Sequence, residues 1–229
     1  VVGKNGLRVA IVVASMLGVF AHPAAVSAQD QLGAQQQLEK MLMPGLWTKK
    51  RDPIVRSAST ALSLIMRTDN IDDPKYRARR RIVSNAVARR LKVDPKKMDR
   101  AWSKAPRNNQ IAVLAALGQL GVKYVEGKED PNLEMDCSGL MWYAWRVAGV
   151  DTPRQSVSQL DKRMRVDQGT AVAGSIVGYG VHVQMYLGSD FAMVHAPFNG
   201  RNVKLKIITE AQLALAAWTD PNNTVAYRL

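Results

Sequence analysis

From Cys137 to Ala148 the chain reads CSGLMWYAWRVA, apolar on nearly every side of a helix. A helix without a polar face must be enclosed by the rest of the fold. Gly149 supplies its stop, because glycine accepts the left-handed backbone that follows a last helical turn. Asp136 stands where a capping carboxylate belongs, which puts Cys137 in the first turn. There the helix dipole and free amides favour a thiolate and are expected to lower the pKa of the sulfur. The same amides suit an oxyanion formed when sulfur attacks a carbonyl.

The flanking sequence says what encloses this helix. A second helix is expected from Asn109 or Gln110 to about Leu120, followed by GVKYVEG. After VDTPRQS the chain turns strand-like in GSIVGYG, VHVQMYLG, FAMVHAP, VKLKII and TVAYRL. Helices first and strands after predict an α+β domain with an antiparallel sheet. Hydrophobic residues make up 47% of the chain, enough for a core, which excludes global disorder.

The first residues bear on compartment. Lys4 and Arg8 precede or open an apolar run from Val9 to Ala21, and Val26-Ser27-Ala28 offers small residues before Gln29. That order is expected of a secretory signal over 1–28, cut after Ala28. The run is shorter than the ~20 residues of a membrane span, although an uncleaved anchor is the alternative. Secretion to a cell wall or periplasmic space follows. Cysteines of exported proteins usually pair, but Cys137 is the only one, so it is either buried and inert or kept for reactivity.

Charge divides the remainder. Residues 29–108 hold 19 Lys or Arg against 8 Asp or Glu, whereas residues 109–229 hold 11 of each. In the basic region Asp52-Pro53, Asp73-Pro74 and Asp94-Pro95 each place a capping carboxylate before a first-turn proline. Behind the second pair, Ile82, Val83, Ala86, Val87 and Leu91 fall at helical spacing, with Arg79, Arg80, Arg81, Arg89 and Arg90 expected to cover the other sides. A further helix is expected from Gln31 to Met43. The domains read as a signal over 1–28, a basic helical region over 29–108 and the α+β domain over 109–229. Weak attraction to anionic envelope polymers and a merely solvated helix face both account for the charge. No finger motif or aromatic interleaving supports nucleic-acid binding.

A nucleophilic cysteine needs a base. Outside the leader's His22 the chain has two histidines, His182 and His195. If Gly188-Ser189 form a two-residue turn, 182 and 195 are direct cross-strand neighbours. One imidazole then takes the thiol proton and the other orients it. A three-residue turn would put the rings on opposite faces. Zinc binding by one Cys and two His is the rival, disfavoured because no carboxylate stands beside the histidines.

The motifs DCSGL, TPRQS, HVQMYLG and VHAP, in this order, resemble those of the NlpC-type cell-wall endopeptidases, which are papain-like cysteine peptidases. The resemblance covers about Gln110 to Leu229. It implies a nucleophile helix packed on an antiparallel sheet, with Cys137 as nucleophile, His182 as base and His195 as the orienting third member. It implies peptidoglycan stem peptides as substrate, cut between D-glutamate and a diamino acid such as diaminopimelate, with no cofactor and no metal. Tyr124, Asp136 and Ser138 match substrate-pocket positions, the acid holding a free amino group. Three departures bear on substrate preference: no GG follows the Tyr124 stretch, Gly174-Ser175 replaces GD, and Gln184 stands where a small residue is usual. The alternatives are a non-catalytic wall-binding protein using the same cleft, and a transpeptidase on the same triad.

Overall fold

The computed structural model describes residues 52–198 and 200–223. The expected signal over 1–28, the helix over 31–43 and the strand in 224–229 lie outside the described residues. Four helices come first: α1 (Pro53–Ile65), α2 (Pro74–Leu91), α3 (Pro95–Lys104) and α4 (Arg107–Leu117). Asp52, Asp73 and Asp94 cap the first three, their carboxylates accepting from the backbone N–H of Ile54, Tyr76 and Lys96. Each such cap is worth about 1 kcal/mol.

The inward stripe of α2 differs from the expected one. Tyr76, Arg80, Val83, Ser84, Val87 and Ala88 are buried, while Ile82 is 48% exposed. Arg80 turns inward because its guanidinium lies over the Tyr76 ring and 3.8 Å from the Asp99 carboxylate. The phase of a stripe this rich in arginine is set by such partners and not by hydrophobicity alone.

Every residue of α4 from Asn109 to Leu117 is buried, because α1 packs on it from one side and α5 (Cys137–Val147) from another. Before α5 lie three two-residue strands, β1 (Lys123–Tyr124), β2 (Glu129–Asp130) and β3 (Glu134–Met135), in the order β1-β3-β2 with β1 parallel to β3. Sequence alternation is too short there to announce them. After α5 come the short helix α6 (Ser156–Gln159) and then β4 (Ile176–Tyr179), β5 (His182–Tyr186), β6 (Ala192–His195) and β7 (Lys204–Ile207). The last elements are α7 (Glu210–Ala214) and β8 (Ala217–Thr219), neither of them expected from sequence. The sheet order is β7-β6-β5-β4-β8, antiparallel throughout.

One apolar core runs through α1, α2, α3, α4 and α5 and into Val183, Met185, Ala192 and Val194 of the sheet. A smaller cluster of Val177, Met193, Ile208 and Trp218 gathers alternate residues of the strands. The described part of the basic region is therefore packed into the same core as the sheet. Among the described residues, no helix is long and apolar enough to cross a membrane.

Candidate active site

Helix α5 begins as the sequence implied. Asp136 Oδ1 accepts from the Gly139 N–H at 2.6 Å, and Cys137 sits in the first turn. The Cys137 sulfur is approached by the backbone N–H groups of Val183, Ser138 and Cys137 itself, all favouring thiolate. Burial outweighs them, and with the nearby Asp136 charge it pushes the thiol pKa up. The expected lowering is thus reversed, since a helix N-terminus contributes little against loss of solvent around sulfur. Gly139 is obligatory: a Cβ there would lie 2.3 Å from the Lys128 carbonyl oxygen.

The two histidines meet, though by another register than expected. Met185 pairs with Val194 and Tyr186 with Met193, so the loop holds four residues, Gly188 to Phe191. Gly188, Asp190 and Phe191 all have positive φ, of 88°, 50° and 53°. The register is two residues from the one a two-residue turn gives. A shift of two keeps both rings on one face, as diagonal neighbours in place of directly opposed ones. His182 Nε2 lies 3.0 Å from His195 Nδ1, with the rings edge to face.

Both imidazoles are buried and held neutral. Burial, then the Lys206 charge, lowers the His182 pKa to about 4. Burial, the neighbouring His182 and the cations Lys206, Lys204 and Arg201 lower His195 to about 3. His182 Nδ1 and His195 Nε2 have no hydrogen-bond partner among the described residues, nor do the two polar atoms of buried Gln184. The Val183 N–H against the sulfur brings β5, the strand that carries His182, up to the start of α5.

Asp136 does more than cap. Its Oδ1 takes Gly139 N–H, Ser138 Oγ and Arg154 Nη1, and its Oδ2 takes Gly127 N–H and Arg154 Nη2. A carboxylate has about four acceptor sites, and five donors fill them. These bonds make Asp136 the residue that holds the helix start. Burial raises its pKa, but the Arg154 hydrogen bonds and charge with the two backbone N–H groups bring it below the usual range. Ser138 is held too, accepting from Arg154 Nη1 at 2.9 Å. Arg154 also reaches Glu129 at 2.9 Å. TPRQS contains this arginine, but nothing in the spacing named its partner.

Tyr124 is buried beside the site: burial, then the charges of Cys137 and Asp136, raises its pKa. Its ring lies 6.3 Å from Phe198, which lies 5.5 Å from His182. Against the histidines opens a cleft of about 340 Å³, lined by Tyr179, His182, His195, Phe198, Arg201 and Lys206 with Pro197. None of these residues comes from the described basic helices. Arg201 and Lys206 escaped sequence reasoning, although the KLK alternation in β7 put two lysines on one side. Among the described residues, no three His, Cys, Asp or Glu side chains converge as a metal site.

Residues 121–219 match the sequence model of the NlpC/P60 family. A 112-residue segment is 35% identical to the peptidoglycan endopeptidase RipA of Mycolicibacterium smegmatis, covering 42% of this chain and 22% of that protein. Another of 88 residues is 30% identical to the bifunctional muramidase/DL-endopeptidase CwlT of Bacillus subtilis, covering 35% of this chain and 27% of that one. The chain thus spans about a quarter of the length of these curated relatives. Among solved structures, an NlpC/P60 family protein from Bacillus cereus is 21% identical, with a TM-score of 0.45, over 49% of this chain and 39% of that chain.

Proposed function

We propose that this chain is an exported cysteine endopeptidase that cuts peptidoglycan stem peptides at the D-γ-glutamyl to diamino-acid bond. The names of its relatives support the substrate. The observation that carries the reading is the Cys137 sulfur against the Val183 N–H of β5, the strand that carries His182, whose Nε2 lies 3.0 Å from His195 Nδ1. In this reading His182 donates its Nε2–H to His195 Nδ1, which leaves the lone pair on His182 Nδ1 for the thiol proton. His195 then carries its own proton on Nε2 and fixes the tautomer.

Both partners rest neutral, so the thiol is deprotonated by general-base transfer as sulfur attacks the γ-glutamyl carbonyl. Backbone amides at the start of α5 stabilise the oxyanion. Protonated His182 passes its proton to the departing amine, and water, activated by the same ring, hydrolyses the thioester. Tyr124 forms the peptide-facing wall; Asp136 and Ser138 keep the helix start in place. No cofactor or metal enters. The signal over 1–28 directs export, and the basic region 29–108 attracts anionic envelope polymers.

Mass analysis of muropeptides incubated with the chain from residue 29, beside its Cys137→Ala variant, tests this. Products from the γ-glutamyl to diamino-acid bond, absent with the variant, are expected. Burial of the thiol favours a second reading, a wall-binding protein using the same cleft. Unchanged muropeptides with retained wall binding would establish it.

A further inference from the structure

Among the side chains that line the cleft against the histidine pair, cations and donors outnumber acceptors. Its wall carries Arg201, Lys206 and both imidazoles, and no carboxylate. Among the described residues neither Arg201 nor Lys206 enters an ion pair, whereas Arg154 has two. Lys206 is half-buried, its ammonium 3.4 Å from the Tyr179 hydroxyl oxygen. Gln212 Nε2 donates to that same oxygen at 2.9 Å. Two donors occupy both lone pairs of the tyrosine oxygen, so the Tyr179 O–H proton is turned outward as a donor. His195 is 5% exposed, and its Nε2 is buried without a partner on a ring that lines the cleft.

Half-buried Lys206 and the buried His195 Nε2 call for an anion, because donors left without acceptors are costly, and exposed Arg201 adds a positive charge at the rim. Phe198 and Pro197 add an apolar wall that fits the aliphatic part of an amino acid and gives nothing to an inorganic ion. We propose that this cleft binds a carboxylate-bearing amino-acid residue of the substrate, its carboxylate against Arg201, Lys206 and the Tyr179 hydroxyl. The site deepens the peptidase reading and rests on it for the identity of the substrate. His182 lines the cleft and is the base of the proposed mechanism, so in that reading the bound carboxylate lies one imidazole from the reacting bond. The chain would then select stem peptides whose residue next to that bond keeps a free carboxylate over those in which it is amidated.

The test uses the full chain carrying Cys137→Ala and follows the ring resonances of His182 and His195 by NMR. The probes are N-acetyl-D-alanine, N-acetyl-D-alaninamide and inorganic phosphate. Saturable shifts are expected with the carboxylate, about tenfold weaker with the amide, the factor for one charge-assisted hydrogen bond. Arg201→Gln, at an exposed position that leaves folding intact, and Lys206→Gln should each weaken the carboxylate and leave the amide unchanged. Equal titration by carboxylate and amide, or undiminished binding in both variants, overturns the proposal. Phosphate binding as tightly as the carboxylate overturns the assignment to an amino acid. Muropeptide digestion by the native chain runs alongside: carboxylate binding without cleavage sinks the peptidase reading alone, and cleavage without carboxylate binding sinks this site alone.

Discussion

Trp102 donates its indole N–H to the carbonyl oxygen of Leu187 at 2.8 Å, joining helix α3 to the end of strand β5. Close by, Lys97 pairs with Asp190 at 2.5 Å, and a Cβ on Gly188 would come within 2.9 Å of the Ala101 side chain. The loop that joins the two histidine strands is thus seated on a helix of the basic region.

Replacing Trp102 by Phe keeps most of the ring and removes the donor. The buried Leu187 carbonyl loses its partner, and a loss of about 1–3 kcal/mol in urea unfolding is expected. A 109–229 fragment, which strips the hairpin of this support, should be less stable than the full chain in the same assay. Equal midpoints would mean that α3 is a passive neighbour.

Alkylation of Cys137 by iodoacetamide should rise with a midpoint above the ~8.5 of free cysteine, because burial holds the thiol protonated. A midpoint well below that value would reveal a resting thiolate–imidazolium pair and replace general-base transfer in the mechanism.

The histidine pair makes the fold sensitive to acid. Both folded pKa values, about 4 and about 3, lie below the ordinary 6.5, so the unfolded chain binds more protons between them. Stability from the neutral rings is complete above pH 6.5 and is lost as pH falls toward 4 and then 3. His195→Gln should flatten the dependence of the urea midpoint over that window. An unchanged slope would assign acid sensitivity to other groups.

Arg154→Met leaves the Asp136 carboxylate buried without its main counter-charge and should cost about 3 kcal/mol at neutral pH. Native Asp136 has a lowered pKa, so its stabilisation is present above the usual 3.8 and lost as pH falls through the folded value. In the variant the Gly139 and Gly127 N–H groups remain but the Arg154 hydrogen bonds and charge are gone, so burial weighs more, the pKa rises, and the variant recovers part of its loss on acidification. Stability curves that stay parallel as pH falls to about 4 would contradict this account.

What could be read from the sequence was local. Asp-Pro pairs mark three helix starts because cap and proline act within one turn, and the apolar run around Trp145 admits little but an enclosed helix. The histidine contact was legible only in parity. Its loop length depends on Asp190 and Phe191 accepting left-handed backbone, which their side chains do not announce. Arg154 lies 18 residues from Asp136, and no periodicity relates them. The protonation of Cys137 depends on solvent excluded by Val183 and its strand, 46 positions further on.

Gly139 has a consequence for the sulfur as well as for packing. The Lys128 carbonyl that a Cβ would strike at 2.3 Å is also the acceptor for the Asp136 N–H, at 2.8 Å. The tether of the helix start and the clearance of its first turn therefore share one oxygen atom. A single added methyl at 139 would act as a wedge, prying the strand segment from Asp136 and tilting the Cys137 sulfur away from the Val183 amide.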